Sequence, residues 1–392
     1  MVPIRAPEWR KLPLSLTELC IETTLRCGQS FRWRKVGDEW NCVLHGRLLS
    51  LTQDPESVKY KVTWPDKANT GLGDDTEALL RHYFSLKYDL GALYKQWSAD
   101  DANFRKKAPQ FTGIRILSQD AWEALVSFIC SSNNNISRIC QMVDKLCKNY
   151  GPFVAKVGDE AFHDFPTPAA LSGDKVESHL RELGFGYRAK YIADTARIIT
   201  NTKPVGWLDS LANPENPGWG VPPHQKTVDG EVPTYKHAHE ELLTLSGVGP
   251  KVSDCVCLMG LGWAESVPVD THVWQIAQRD YKFGGKSKTK TFSKVLYDAV
   301  GDHFRAIWGP QAGWAQSVLF TANLKSFSEQ LAAKPSAEVV AFKVEVEEKA
   351  TVPEVLGRTR SRKVIISEDI TIKREADSQV DNGAKKRRRT RT

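Results

Sequence analysis

The sequence predicts an α+β protein, with an N-terminal antiparallel β region followed by a longer helical region. Three observations predict it. Residues 12–70 alternate polar and apolar side chains in four runs. From Thr76 the apolar residues recur at helical spacing. Past Leu331 aromatic residues nearly vanish and charge rises, which reads as a disordered tail. The expected division is therefore 1–115 (β), 116–330 (helical) and 331–392 (tail).

The four runs are Ser30–Val36, Glu39–His45, Arg47–Leu51 and Val58–Trp64. Gly37-Asp38 and Gly46 separate the first three, so the pattern is a meander of hairpins. Leu79, Leu80, Tyr83 and Phe84 begin the helical period. Ser118 is expected to cap a helix over Ala121–Ser131. A polar turn, Ser131–Asn135, leads to a second helix that ends near Asn149, before Gly151-Pro152. Val176–Leu183 and Tyr187–Thr200 form a pair joined by Gly184-Phe185-Gly186. Residues 202–232 contain Pro204, Pro214, Pro217, Pro222 and Pro223 and read as a long loop. The remaining helices are expected over Tyr235–Leu245, Pro250–Leu261, Thr271–Tyr281, Thr291–Trp308 and Pro310–Leu324.

Composition bounds the function class. Hydrophobic residues make up 41% and charged residues 26%, as in an ordinary globular protein. No apolar run reaches the ~18 residues of a membrane span. The tail carries +5 of the net charge of +7, which leaves +2 for residues 1–330. Nucleic-acid binding must then rest on local basic patches. The tail ends in Lys385–Arg391, a basic run read as a nuclear-import signal rather than a merely solvated charge run. The expected location is the nucleus; the sequence leaves open a mitochondrial form. The eight cysteines include no C-x-x-C pair and read as reduced, buried thiols.

The strongest local signal is Leu245-Ser246-Gly247-Val248-Gly249-Pro250-Lys251, between two helical patterns at 235–261. Gly247 and Gly249 permit positive φ and close approach of another backbone. Val248 can plug the space between the helices. Pro250 suits a first helical turn, where its missing N–H costs nothing. The free amides of the turn then form an anion site suited to one DNA phosphate, although a plain helical hairpin fits the same residues. Lys251 lies where the helix dipole and partial desolvation both disfavour a second positive charge. It therefore reads as a candidate nucleophile, or as a simple phosphate contact. Asp270 is a good N-cap for the helix from Thr271, and a carboxylate there can also stabilise a cationic sugar. His272 reads as a phosphate contact or an ordinary helix histidine.

With these residues in place, the chain resembles the helix-hairpin-helix DNA glycosylase superfamily, and within it the eukaryotic 8-oxoguanine DNA glycosylase/AP lyases. The resemblance covers roughly residues 8–326. It rests on Cys27–Trp33, Phe128–Ile136, Leu183–Ala189, the hairpin, Val267–Asp270 and Gly313–Phe320, in that order. The C-x6-C-x2-C-x5-C run of the iron–sulfur branch is missing; Cys140 and Cys147 match its first spacing only.

The resemblance implies a TATA-binding-protein-like antiparallel sheet beside two helical domains, with the active site in the cleft between those domains. It implies excision of 8-oxoguanine, and of formamidopyrimidine, opposite cytosine in double-stranded DNA, by an architecture that usually acts as a monomer. No cofactor or metal is expected, although the family can hold a structural cation at the hairpin carbonyls. Lys251 then displaces the damaged base, forms a Schiff base with the sugar and permits strand cleavage by β-elimination, while Asp270 stabilises the transition state. The Gly28 carbonyl accepts the N7 hydrogen that 8-oxoguanine has and guanine lacks; a mismatched acceptor there costs about 1–3 kcal/mol. Phe320 and Cys255 sandwich the base and Gln316 pairs with its edge. Asn133, Arg138 and Arg188 read the orphaned cytosine, and Tyr187 wedges into the stack. Without the resemblance, Gly28 reads as a strand-start glycine, Phe320 and Cys255 as core, and Asn133–Asn135 as a helix connector. Ser246 stands where the family has proline, Pro250 where a small polar residue is common, and Asn323 where an acid is usual.

Overall fold

A five-stranded antiparallel sheet fills the N-terminal region. Its strands are β1 (Arg10–Pro13), β2 (Arg34–Val36), β3 (Glu39–Leu44), β4 (Arg47–Gln53) and β5 (Ser57–Thr63), in the order β1-β5-β4-β3-β2. The computed structural model describes residues 8–65, 74–223, 226–227, 230–284 and 293–328. All of these lie within one unit, Met1–Thr351. The expected tail disorder and nuclear-import signal fall outside the described residues.

The meander is as expected, with three differences. His45 leaves the strand: His45 and Gly46, at φ 48° and 75°, form the two-residue loop between β3 and β4. Ser30–Trp33 is not strand. These four residues are buried, and the side chains of Arg32 and Trp33 are fastened elsewhere. Arg32 pairs with Glu123, and the Trp33 indole donates to the Tyr83 hydroxyl at 2.9 Å. β1 has only Leu12 as a buried apolar residue, too little alternation to read from sequence.

Another strand pair, β6 (Phe153–Val157) and β7 (Glu160–His163), also escaped the sequence reading. Val154 and Phe162 pack with Val43 and Leu48 of the main sheet. The second sheet face is therefore covered too, so β3 and β4 are buried almost residue by residue.

The helices preceding the polar turn are α1 (Ile21–Thr24), α2 (Thr76–Tyr83), α3 (Leu90–Asp100), α4 (Ala102–Lys107) and α5 (Ala121–Cys130). After it come α6 (Ile136–Tyr150), α7 (Val176–Glu182), α8 (Arg188–Asn201), α9 (Trp207–Ser210), α10 (Tyr235–Leu243) and α11 (Pro250–Met259). Then follow α12 (Thr271–Tyr281), α13 (Lys294–Trp308), α14 (Ala312–Asn323) and α15 (Lys325–Ser328). The loop 202–232 thus contains a short helix, α9. α13 begins after a Ser293 cap, and a 3₁₀ turn over Gly309–Gln311 precedes α14. Ser118 does not cap α5. Asp120 does, accepting the Glu123 N–H at 2.8 Å, while the Ser118 hydroxyl pairs with His82 Nε2. Asn135 caps α6.

α5 is buried along all ten residues and packs against α6, α8 and α11. It is the axis on which the hairpin helix α11 rests. Leu90, Tyr94, Trp97 and Phe104 also join this helical core, although they precede residue 115. The sheet has its own core, closed by Leu79, Leu80, Tyr83 and Phe84 of and just after α2.

Candidate active site

The hairpin forms as its residues suggest, with one correction. Val248 and Leu245 are buried between α10 and α11, and Pro250 occupies the first turn of α11. Gly247 adopts φ 77°, and a Cβ there would overlap the Tyr191 ring. It is a side chain, not a backbone, that approaches closely. Gly249 has φ −99° and ψ 177°, ordinary extended backbone, with open space where a Cβ would stand. Its position as N-cap needs no glycine. The Ser246 carbonyl accepts the Thr195 hydroxyl at 2.9 Å, which ties the turn to α8.

Lys251, on the first turn of α11, is half-buried. Its Nζ donates to Ser131 Oγ at 3.0 Å and lies 5.0 Å from the centre of the Phe128 ring. Ser131 in turn donates to the Phe128 carbonyl at 2.7 Å. The amine is thus held against the end of α5 by a partner it can leave.

Asp270 caps α12. Its Oδ1 accepts the N–H groups of His272 and Val273, both at 2.9 Å. Oδ2 has no partner among the described residues. This leaves one carboxylate oxygen fixed in direction and open for chemistry.

A small pocket lies between these groups. Gly28, Lys251, Cys255, Asp270, Gln316 and Phe320 all line it. It adjoins a larger cleft, and the two share Gly28, Phe128, Lys251, Asp270 and Phe320. Gly28 sits at φ 87°, and a Cβ would press on Ile136 at 3.0 Å. Cys255 is buried one helical turn after Lys251; burial pushes its thiol up to about 11, against the pull of the lysine charge. The Gln316 side chain has no hydrogen-bond partner among the described residues, although it is only 6% exposed. It is a nearly buried polar group left without a protein partner at the pocket wall. The Phe320 ring meets His272 edge to face at 5.9 Å.

The second group of expected residues gathers at the polar turn. Asn133, at φ 47°, lines the cleft together with His272. Arg188 is buried, and its guanidinium donates to the carbonyls of Ser132 and Asn133, the latter at 3.1 Å. Tyr187 is 46% exposed and its hydroxyl donates to the Ser132 carbonyl at 3.0 Å. Arg138 is exposed, with no side-chain partner among the described residues. These four surround one turn, but Arg138, Tyr187 and Arg188 do not line the cleft.

Sequence reading missed the direct neighbours of the amine. Ser131 and Phe128 were within a recognised block, but nothing local marks them as partners of residue 251. Asn323, standing where an acid is usual, accepts from Arg279 NH1 at 3.1 Å and not from His272 or Arg138. The thiols at 140 and 147 belong to no metal-ligand cluster among the described residues. No helix among them is long and apolar enough to cross a membrane.

The chain is similar to known proteins over most of its length. Residues 11–125 match the family model described as 8-oxoguanine DNA glycosylase, N-terminal domain. Residues 126–298 match that of the HhH-GPD superfamily base excision DNA repair protein. The chain is 38% identical to an N-glycosylase/DNA lyase of Saccharomyces cerevisiae, over 80% of this chain and 86% of the yeast protein. It is 37% identical to the N-glycosylase/DNA lyase OGG1 of Arabidopsis thaliana, over 81% of each chain. Among solved structures, the apo form of the Clostridium acetobutylicum 8-oxoguanine glycosylase/lyase is similar. Its TM-score is 0.64 and its identity 25%, over 81% of this chain and 98% of that one. MBOgg1, solved with a low-affinity DNA ligand, has a TM-score of 0.63 and 26% identity, over 81% of this chain and 97% of that one.

Proposed function

Because the chain belongs to the N-glycosylase/DNA lyase family of base excision repair enzymes, we propose that its pocket takes an extruded 8-oxoguanine and that Lys251 is the nucleophile. The observation that carries this is the convergence of Gly28, Lys251, Cys255, Asp270, Gln316 and Phe320 on one pocket. A base must leave the stack to reach such a site.

Lys251 leaves Ser131 and its Nζ lone pair bonds to C1′ of the extruded nucleotide. The N-glycosidic bond breaks and the base departs with its electron pair, taking a proton that the now cationic nitrogen releases. Positive charge develops on the sugar as this happens, and Asp270 Oδ2 faces it. Loss of a proton from nitrogen and opening of the sugar ring give a Schiff base. The Schiff base acidifies the adjacent C2′ hydrogen, so β-elimination expels the 3′ phosphate and cuts the strand.

The Gly28 carbonyl accepts the N7 hydrogen of the lesion, Gln316 pairs with the base edge, and Phe320 and Cys255 stack on its faces. Formamidopyrimidine presents a similar edge and is a second substrate. Asn133, Arg138 and Arg188 read the cytosine left behind, and Tyr187 fills the gap. The amides at Gly247 and Gly249, with His272, hold the phosphates. The enzyme acts as a monomer in the nucleus. Its working parts are the β region to residue 115, the helical region 116–330 and the basic tail.

Borohydride trapping tests this reading. Wild type should form a covalent adduct with a duplex carrying 8-oxoguanine opposite cytosine, and Lys251→Gln should form none. An adduct that survives in Lys251→Gln would refute the assignment of the nucleophile.

A further inference from the structure

Lys251 and Asp270 come from different elements, and a single hydroxyl bridges the segments that carry them. That hydroxyl belongs to Tyr297, a buried residue of α13 whose ring lines the cleft. It donates to Asp254 Oδ2 and accepts the Val269 N–H at 3.2 Å. Asp254 stands three residues after Lys251 on α11, and Val269 immediately precedes Asp270.

The carboxylate under this bridge is unusual in its burial. Asp254 is 1% exposed. Its Oδ1 accepts the Tyr235 hydroxyl at 2.6 Å and the Ser266 hydroxyl at 2.9 Å. His239 Nε2 lies 3.6 Å from the same oxygen. One side chain thus joins α10, α11, the segment 266–269 and α13. Burying a carboxylate is unfavourable unless donors surround it, and apolar residues would close the same junction without that desolvation. What hydrogen bonds add is direction. They hold groups to within tenths of an ångström, where apolar packing tolerates sliding.

We infer that Tyr297 and Asp254 are positioning residues that set the Asp270 carboxylate against the Lys251 amine. Neither touches the reacting atoms. They act through Val269 on one side and α11 on the other. The inference rests on the roles proposed above for Lys251 and Asp270.

A double-mutant cycle on the full chain tests it. Single-turnover excision of 8-oxoguanine opposite cytosine is measured for wild type, Tyr297→Phe, Asp270→Asn and the double variant. Binding to a duplex with a tetrahydrofuran in place of the lesion nucleotide is measured alongside. Tyr297→Phe keeps the ring and should slow excision about tenfold, with binding changed by less than about twofold. In the Asp270→Asn background the same change should slow excision by less than about twofold, because the group it positions is already impaired. Asp254→Asn keeps the volume and one acceptor, and should give the same pattern if Tyr297→Phe folds poorly. Unchanged excision in either folded variant would overturn the inference, as would the same loss in both backgrounds or an equal loss of binding. An adduct persisting in Lys251→Gln would instead overturn the function on which the inference is built.

Discussion

The pocket around Lys251 and the group gathered at the polar turn 131–135 both draw on residues far apart in sequence, yet they are organised differently. In the pocket the groups already face the space they would work in. Asp270 is fixed by two backbone N–H bonds, and the Gln316 amide lines the pocket with no partner among the described residues. At the turn, Arg188 and Tyr187 are turned back on the Ser132 carbonyl, and Arg138 lies outside the cleft. The proposed chemical site is preorganised, whereas the proposed opposite-base reader holds its own loop together. Preorganisation matters most where charge develops in a transition state, since reorganising dipoles then would raise the barrier. Reading a base tolerates rearrangement, because the new contacts form as the DNA binds.

Five substitutions test this difference and its setting. Asp270→Asn should have the largest effect. Asparagine still caps a helix, so lesion DNA should bind, but single-turnover excision should fall by about 10²–10³. Near-normal turnover would remove the electrostatic role. Arg188→Ala should change preference rather than chemistry. Excision opposite cytosine, relative to the other three bases, should lose about tenfold of its advantage, as expected for one side chain reading a base edge. An equal fall opposite all four bases would show that Arg188 only braces the turn.

The hairpin offers a paired comparison. Gly247→Ala meets both a positive φ and the Tyr191 ring, so unfolding in urea should show about 1–3 kcal/mol of lost stability. Gly249→Ala, in extended backbone with open space, should lose less than about 1 kcal/mol. Equal effects would mean that both glycines are needed for conformation.

The smallest effect concerns Cys255. Its thiol is raised by burial to about 11, so it is protonated throughout the neutral range. A raised folded value means that the stability it contributes is complete below the unfolded value near 9 and is lost as pH rises through 11. Cys255→Ser should therefore flatten the decline in melting temperature between those two values. It should leave the shape of the pH–rate profile unchanged between about pH 6 and 9. A shifted limb in that range would show Cys255 taking part as a thiolate.

Much of the fold and part of the site were legible in the sequence. Asp270 as a cap, Pro250 at a helix start, Val248 as a plug and Gly46 as a turn residue are all set by hydrogen bonds, packing or dihedral limits within a few residues. Recognisable blocks at 27–33, 245–251 and 313–320 likewise pointed to the residues that converge on the pocket. Only the tertiary structure decided what those residues touch. Ser131 beneath Lys251, Arg32 on Glu123 and Tyr297 on Asp254 are separated by 120, 91 and 43 positions. No local period or propensity encodes such a pairing. It arises when α5 and α11 pack, because many interchangeable apolar contacts fix where a few polar groups must meet.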